Sequence, residues 1–517
     1  MSKTPNDQLL FELIQSLTKS EKRSFKLYAN RSGGATETKY IKLFDVMEKM
    51  DIYNEEHILR KLPGTSKTQF ANLKSHLYHQ ILGSLRLSNL KDDIDIDLRE
   101  QLDFIRVLYK KGLYHQSLRL LNRAKNITGD YRKDLFQLAL LDYEKQIRSQ
   151  QVFELEEEQA FEIDRQTDLA MKRFMNVQKF FTLATRLKAR FVQHGMVKSE
   201  RELNNLKALF YTNLPEFKEE ELAFNEKFYL YRAYYWFSYL TYDFGKCVTY
   251  AEKWVDIFHE TGLDRKRRSA YLKGLNRLLQ SAFRIDSIEK FDQYYKLLNE
   301  FEKRESPTLA SNTQVLLVKY KAIQTFNHVF LTTDFAENLE HVKKVLKDVE
   351  ANKKFIDKHN LVVIYYKASV YYFAMKKYSD ARFYLNKLLN DGDRLRSDLK
   401  GYARILSIII DYDTGEEQYF EQKLKAAYDY IVYEENLGKV QQVFLDFLGK
   451  IGSIYPQDLK KGFMSLKSEI EKVNDGDFSR KTLLYFDLMS WIDSKIEGRS
   501  FAEVVRDKTK LHLNKLA

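Results

Sequence analysis

Few residues in this chain have the types and spacing that catalysis or metal binding requires. Residues 64–68 (GTSKT) end like a phosphate-binding loop, but the glycine that should precede them is missing, and no strand pattern leads into the stretch. Asp93, Asp95 and Asp97 have the spacing of the first ligands of a calcium loop. Leu98 stands where that loop needs a glycine, so the pattern does not predict a calcium site.

The histidines and the single cysteine give no stronger signal. His76 and His79 share one face of a predicted helix, but no cysteine or carboxylate is spaced to complete a tetrahedral metal site there. Cys247 falls at a position that favours a small packing residue, described below. The chain also lacks the GxSxG, HExxH and dinucleotide-binding patterns. We therefore predict a non-enzymatic protein with no catalytic residue, no metal and no cofactor.

The composition favours a helical protein in the cytoplasm. Only 5 prolines and 19 glycines occur among 517 residues, which disfavours the turn-rich β architectures. The net charge of +12 is spread along the chain, so it permits nucleic-acid binding without requiring it. One cysteine cannot form an intramolecular disulfide. No apolar run reaches the length of a membrane span, and the amino terminus lacks the apolar core of a secretory signal.

Residues 1–90 are predicted to form a small helical bundle. Their apolar residues recur at helical spacing, with breaks at residues 32–34 and 62–65. The predicted helices cover residues 7–17, 19–29, 39–50, 54–61 and 66–87. The last two helices and their short turn, residues 54–87, have the layout of a helix–turn–helix.

Residues 91–517 repeat one short arrangement. An aromatic residue is followed, at steps of three, four and three, by a small residue and then by two apolar ones. This spacing is typical of a helical hairpin, because the aromatic closes the turn and the following residues lie on one face of the second helix. The four sets are Tyr114, Ser117, Leu121, Ala124; Phe244, Cys247, Ala251, Trp254; Phe335, Asn338, Val342, Val345; and Tyr378, Ala381, Leu385, Leu388.

These sets resemble the tetratricopeptide repeat, with residues 372–388 as the best match. The resemblance implies an all-α fold in which residues 91–517 form a right-handed α-solenoid of antiparallel hairpins. The turn aromatics lie at multiples of about 43–45 residues, longer than the family's period of about 34, so a HEAT-like array also fits. Stacked hairpins of either kind generally serve as binding scaffolds.

In the family it resembles, the first helix of each hairpin lines the inner face of the array and binds a partner. Carried onto this chain, that role predicts a protein or peptide partner held by aromatic, arginine and asparagine side chains. Packing in the core is the alternative reading of the same aromatic residues. The predicted partner-binding residues are Arg106, Tyr109, Tyr229, Arg232, Trp236, Tyr239, Asn327, Phe330, Tyr366 and Phe373.

The alternative function is that of a nucleic-acid-binding regulator. Some regulators join a helix–turn–helix head to tetratricopeptide repeats, and the second predicted helix of residues 54–87 begins with side chains that suit phosphates or base edges. Those side chains are Lys67, Gln69, Asn72 and Lys74.

Overall fold

The computed structural model describes residues 6–30, 35–90, 93–151, 155–390, 396–416, 420–433, 439–473 and 486–516. Within these ranges the chain forms 24 α-helices and no β-strand, which confirms the predicted all-helical class. Contacts divide the chain into two units, Met1–Met171 and Lys172–Ala517. The predicted break at residues 32–34 lies outside the described residues.

The first unit contains eight complete helices and the start of a ninth that continues into the second unit. Its helices are α1 Asn6–Ser16, α2 Lys19–Ala29, α3 Ala35–Glu48, α4 Glu55–Lys61, α5 Lys67–Ser88, α6 Ile94–Lys110, α7 Tyr114–Tyr131, α8 Asp134–Gln150 and α9 Glu157–His194. Thr18 and Ser66 form capping boxes at the starts of α2 and α5, so their side chains satisfy amides that the first helical turn leaves unpaired.

Two separate apolar clusters stabilise the first unit. Phe25, Phe44 and Leu77 belong to the cluster that α1 to α5 share, and Ile105 and Leu121 belong to the cluster of α6 to α8. Both clusters lie within one contact unit, so the predicted domain boundary near residue 90 stays a prediction.

The second unit contains the rest of α9 and fifteen further helices. These are α10 Glu200–Thr212, α11 Phe224–Leu240, α12 Phe244–Thr261, α13 Arg268–Arg284, α14 Ile288–Glu305, α15 Ser311–Thr332, α16 Leu339–Ala351, α17 Lys358–Ala374, α18 Tyr378–Leu389, α19 Ser397–Thr414, α20 Phe420–Tyr433, α21 Lys439–Lys450, α22 Leu459–Val473, α23 Leu488–Glu497 and α24 Phe501–Leu516.

Helices in the second unit pack against their neighbours in sequence and against the next helix but one. Thus α13 contacts α12, α14 and α15, and α15 contacts α14, α16 and α17. Helix α17 lies against α15, α18 and α19, which explains why it is apolar on nearly every side. From α19 to α24 each helix contacts the next one along the chain.

Four turns between paired helices share one backbone conformation, from which the predicted turn at Phe335 departs because α16 begins only at Leu339. A residue with positive φ ends the first helix, and the second helix begins two residues later at Tyr114, Phe244, Ile288 and Tyr378. The residues with positive φ are Gly112, Tyr242, Asp286 and Lys376. The next amide in each turn donates to a carbonyl five residues earlier, as from Asp243 to Ser238 at 2.9 Å. This is the bond pattern of a Schellman turn.

The turn at Asp286 marks a hairpin that the sequence pattern does not identify. Its second helix, α14, carries Phe291 where the recognised copies have Ser117, Cys247 or Ala381. A small residue at this slot lets the paired helices approach, and Ser117 and Cys247 each donate to a carbonyl of the preceding helix. With this hairpin included, the turns between residues 244 and 378 recur about every 45 residues.

Candidate functional site

The second unit encloses a cavity of about 620 Å³. Side chains from α9, α11, α13, α15, α17 and α19 line it, and α24 adds Val505 and Lys508. Helix α24 also contacts α15, and the Arg506 guanidinium lies 3.5 Å from the carbonyl oxygen of Thr333. Alternate helices therefore present one common face to the cavity, and α24 covers part of that face.

Aromatic side chains form one wall of the cavity. Trp236 and Tyr239 on α11 are 4% and 3% exposed, and their rings lie 5.5 Å and 5.2 Å from the ring of Phe191 on α9. Rings packed this closely belong to the core and line the cavity as well. Five of the ten predicted partner-binding residues line this space: Trp236, Tyr239, Asn327, Phe330 and Tyr366.

Arg232 and Tyr229, two other predicted residues, lie on α11 outside the cavity lining. The Arg232 guanidinium is 5.1 Å from the ring of Tyr229 and 5.2 Å from that of Phe228. It also lies 5.6 Å from Trp254 and 5.9 Å from Phe181. Arg232 is thus a cation held among aromatic rings.

The remaining three predicted residues lie at other places. Phe373 is 2% exposed and packs against Phe486 and Phe501, with ring centroids 5.7 Å and 5.4 Å away. Arg106 and Tyr109 belong to the first unit, where the exposed Arg106 guanidinium lies 5.6 Å from the ring of Tyr109. The first unit thus holds one arginine–aromatic pair from the predicted set.

Asn327 belongs to a chain of hydrogen bonds that crosses three helices. Gln324 on α15 donates to the side-chain oxygen of Asn276 on α13 at 2.8 Å, and Asn327 donates to Gln324 at 2.7 Å. Lys367 on α17 donates to the Asn327 oxygen at 2.7 Å. These hydrogen bonds satisfy the buried side-chain amides and place the Lys367 ammonium at the cavity.

The pKa of Lys367 is far below that of an ordinary lysine. Burial first, and then the charges of Arg284 and Arg396, lower the pKa of Lys367 from 10.5 to about 7. Between about pH 7 and pH 10.5, Lys367 is therefore protonated in the unfolded chain and largely neutral in the folded chain. Over that pH range the contribution of Lys367 to the free energy of unfolding rises with pH. Below the folded-state pKa the amine is charged in both states, and the contribution is constant.

We expect the free energy of unfolding of the wild type to rise relative to that of Lys367→Met by about 2 kcal/mol or more between about pH 7 and pH 10. Urea unfolding of both proteins across this range, in a buffer without phosphate, measures the difference, and other titrating groups cancel in the comparison. A difference that does not change with pH would contradict the lowered pKa.

The sequence analysis missed most charged residues of the cavity. Arg277 and Arg284 line it together with the neutral Gln280, at steps of three and four on α13, the first helix of the hairpin that the pattern did not identify. Lys367 directly follows Tyr366, which is one of the predicted partner-binding residues. Among the described residues, seven lysines and arginines but only three aspartates line the cavity.

The side chains proposed for nucleic-acid binding are partly engaged within the first unit. The Gln69 side chain accepts from the Ser66 amide at 3.0 Å as part of the capping box. The Lys74 ammonium lies 3.6 Å from Glu55 and 4.3 Å from the centre of the Phe70 ring. Of the predicted set, Lys67, Gln69 and Asn72 are exposed on α5.

The other candidates for chemistry have packing roles. Cys247 is buried, and burial raises the pKa of its thiol. The His76 ring lies edge-on to Tyr40, with centroids 5.0 Å apart. Among the described residues, no group of three or more metal-ligating side chains lies close enough to hold an ion. In the same part of the chain, no helix has the length and apolar character to cross a membrane.

Comparison with known proteins gives no match: no protein-family model, no curated protein and no solved structure is similar to this chain.

Proposed function

We propose that this chain is a non-enzymatic, cytoplasmic interaction scaffold that holds a protein or peptide partner on the inner face of its paired helices. In this proposal residues 91–517 form a right-handed, tetratricopeptide-like α-solenoid, and residues 1–90 form an amino-terminal bundle. The shared turn conformation and the contacts between alternate helices support the array.

One observation carries the proposal. Five of the ten side chains that the resemblance to the tetratricopeptide repeat selected lie on α11, α15 and α17 and line a single cavity. Aromatic rings that are already ordered lose little conformational entropy on binding, so they suit a recognition surface. The nucleic-acid alternative has less support, because Gln69 and Lys74 already serve the fold of the bundle.

A photo-crosslinking amino acid tests the scaffold function in cells. We would place benzoylphenylalanine at Phe330, which lines the cavity, and at Phe355, which is 65% exposed and lies outside it. The proposal expects Phe330 to give a defined adduct with another protein and Phe355 to give none. Mass spectrometry of the adduct would identify the partner and the crosslinked segment.

The same experiment can contradict the proposal. Crosslinks from Phe330 that join only residues of this chain would show that the inner face contacts no partner. Equal yields of one adduct from both positions would show that the contact is not specific to the cavity.

A further inference from the structure

Positive side chains from four helices converge beside the aromatic wall of the cavity. They are Lys188 on α9, Arg232 on α11, Lys273 and Arg277 on α13, and Lys319 on α15. Burial and then Arg277, Arg232, Lys273 and Lys319 lower the pKa of Lys188. Burial and the neighbouring cations likewise lower the pKa of Lys273. Both lysines are nevertheless exposed to solvent, so water screens these like charges and their cost in stability is small.

Carboxylates do not neutralise this cluster. Lys319 pairs with Asp357 at 2.6 Å, but among the described residues Lys188 and Lys273 make no ion pair and no hydrogen bond. Arg277 donates to the neutral oxygen of Gln280 at 2.5 Å and has no ion pair within the described ranges. Three cations are thus without a counter-charge.

The other aspartates of the cavity already have partners. Asp487 accepts from the amide of Ser490 at 3.0 Å, at the start of α23, and Asp286 has an interaction of its own. Cations gathered around one cavity without matching carboxylates create a positive potential that attracts an anion from solution. The cluster therefore has the electrostatic character of an anion site.

Arg277 is held in position for such an anion. Its guanidinium lies 4.6 Å from the ring of Trp236 and 5.5 Å from that of Tyr235, so two aromatic rings support its planar group. A guanidinium offers two parallel N–H donors to one phosphate or carboxylate, whereas lysine acts as a point charge. Lys188 lines the same cavity and remains accessible within it.

The size and walls of the cavity define the rest of the ligand. A volume of about 620 Å³ is typical of sites for small organic molecules and far exceeds the space that one inorganic ion fills. Trp236, Tyr239 and Phe191 contribute the small exposed parts of their rings to the apolar cavity wall next to Arg277. A ring packed against these residues would lie within reach of the cations.

We propose that this cavity binds a small organic dianion, a phosphate or dicarboxylate attached to a ring, with Arg277 and Lys188 neutralising the charge and Trp236 contacting the ring. This small ligand would occupy the same cavity that the proposed function assigns to a protein or peptide partner. Its binding does not require that a protein partner contacts the inner face.

Calorimetric titration of the full chain, in low salt without phosphate or sulfate, tests the ligand class. The probes are adenosine monophosphate, isophthalate, neutral adenosine and inorganic phosphate. We expect at least one ring-bearing anion to bind at least about tenfold more tightly than adenosine and than phosphate. If adenosine monophosphate binds more tightly than isophthalate, the ligand class is a phosphate. If isophthalate binds more tightly, the ligand class is a dicarboxylate. Failure of both anions to exceed adenosine would overturn the proposal.

Charge-removing variants locate the site. Lys188→Met is expected to weaken binding of the better probe by about tenfold or more and, without ligand, to leave the melting temperature nearly unchanged because Lys188 is exposed to solvent. Arg277→Gln should likewise weaken binding by about tenfold or more and serves if the first variant does not fold. Lys347→Met, on the exposed side of α16, is the control and should change neither quantity. Unchanged affinity in both cavity variants would refute the assignment.

Discussion

Trp236→Ala and Trp254→Ala are each expected to lower the free energy of unfolding by about 3–5 kcal/mol, but only Trp236→Ala should abolish ligand binding. The two side chains are 4% and 3% exposed and lie on the paired helices α11 and α12. Trp236 lines the cavity and supports Arg277, whereas Trp254 does not line it. The pair therefore separates the cost of a packing defect from the loss of a binding surface.

Urea unfolding followed by circular dichroism gives the stabilities, and binding is measured by calorimetry with the better anionic probe at a temperature where both variants are folded. Trp236→Phe keeps a ring beside Arg277 and should retain part of the affinity. An equal loss of binding in the two alanine variants would mean that binding reports only the integrity of the fold.

Trp491→Ala is expected to lower the free energy of unfolding by about 4 kcal/mol. Trp491 is fully buried, and the rings of Phe444, Phe463 and Tyr412 lie 5.7 Å, 5.6 Å and 5.9 Å away. Its indole N–H donates to a carboxylate oxygen of Asp413 at 3.3 Å. The substitution would leave a cavity and also remove a hydrogen bond from a buried carboxylate.

The location of this loss can be measured as well as its size. In an array where each helix pair contacts its neighbours, a local defect destabilises nearby pairs most. Hydrogen exchange should therefore increase in α19, α21 and α22 and change little in α11 to α13. A uniform increase across Lys172–Ala517 would show that this unit unfolds as one block. Trp491→Phe is the matched control and should lose only about 1–2 kcal/mol.

Local signals made much of the helical framework predictable. The predicted segment 19–29 agrees with α2, and Asn54 and Ser66 cap α4 and α5 as residues of their types commonly do. Tyr114, Phe244 and Tyr378 each begin the second helix of a pair. Helix α3 begins at Ala35, earlier than the predicted residue 39, because no strong capping residue marks its start in the sequence.

Long-range features were harder to predict. The pattern does not identify the hairpin of α13 and α14, because Phe291 stands at a position where the pattern requires a small residue. Lys188 belongs to α9, and no spacing in the sequence relates it to Arg277 or Lys319. Their charges meet only through helix packing, and that kind of proximity has no periodicity in a single sequence. Five of the predicted partner-binding residues line the cavity, but the same sequence pattern does not predict the cations around it.

The burial of Cys247 has a practical consequence. Its thiol packs between paired helices, and burial raises its pKa, so little reactive thiolate forms at neutral pH. A maleimide dye would therefore react with a cysteine engineered on the surface in preference to the native one. Fluorescent labels for single-molecule distance measurements can be attached without first mutating the natural thiol.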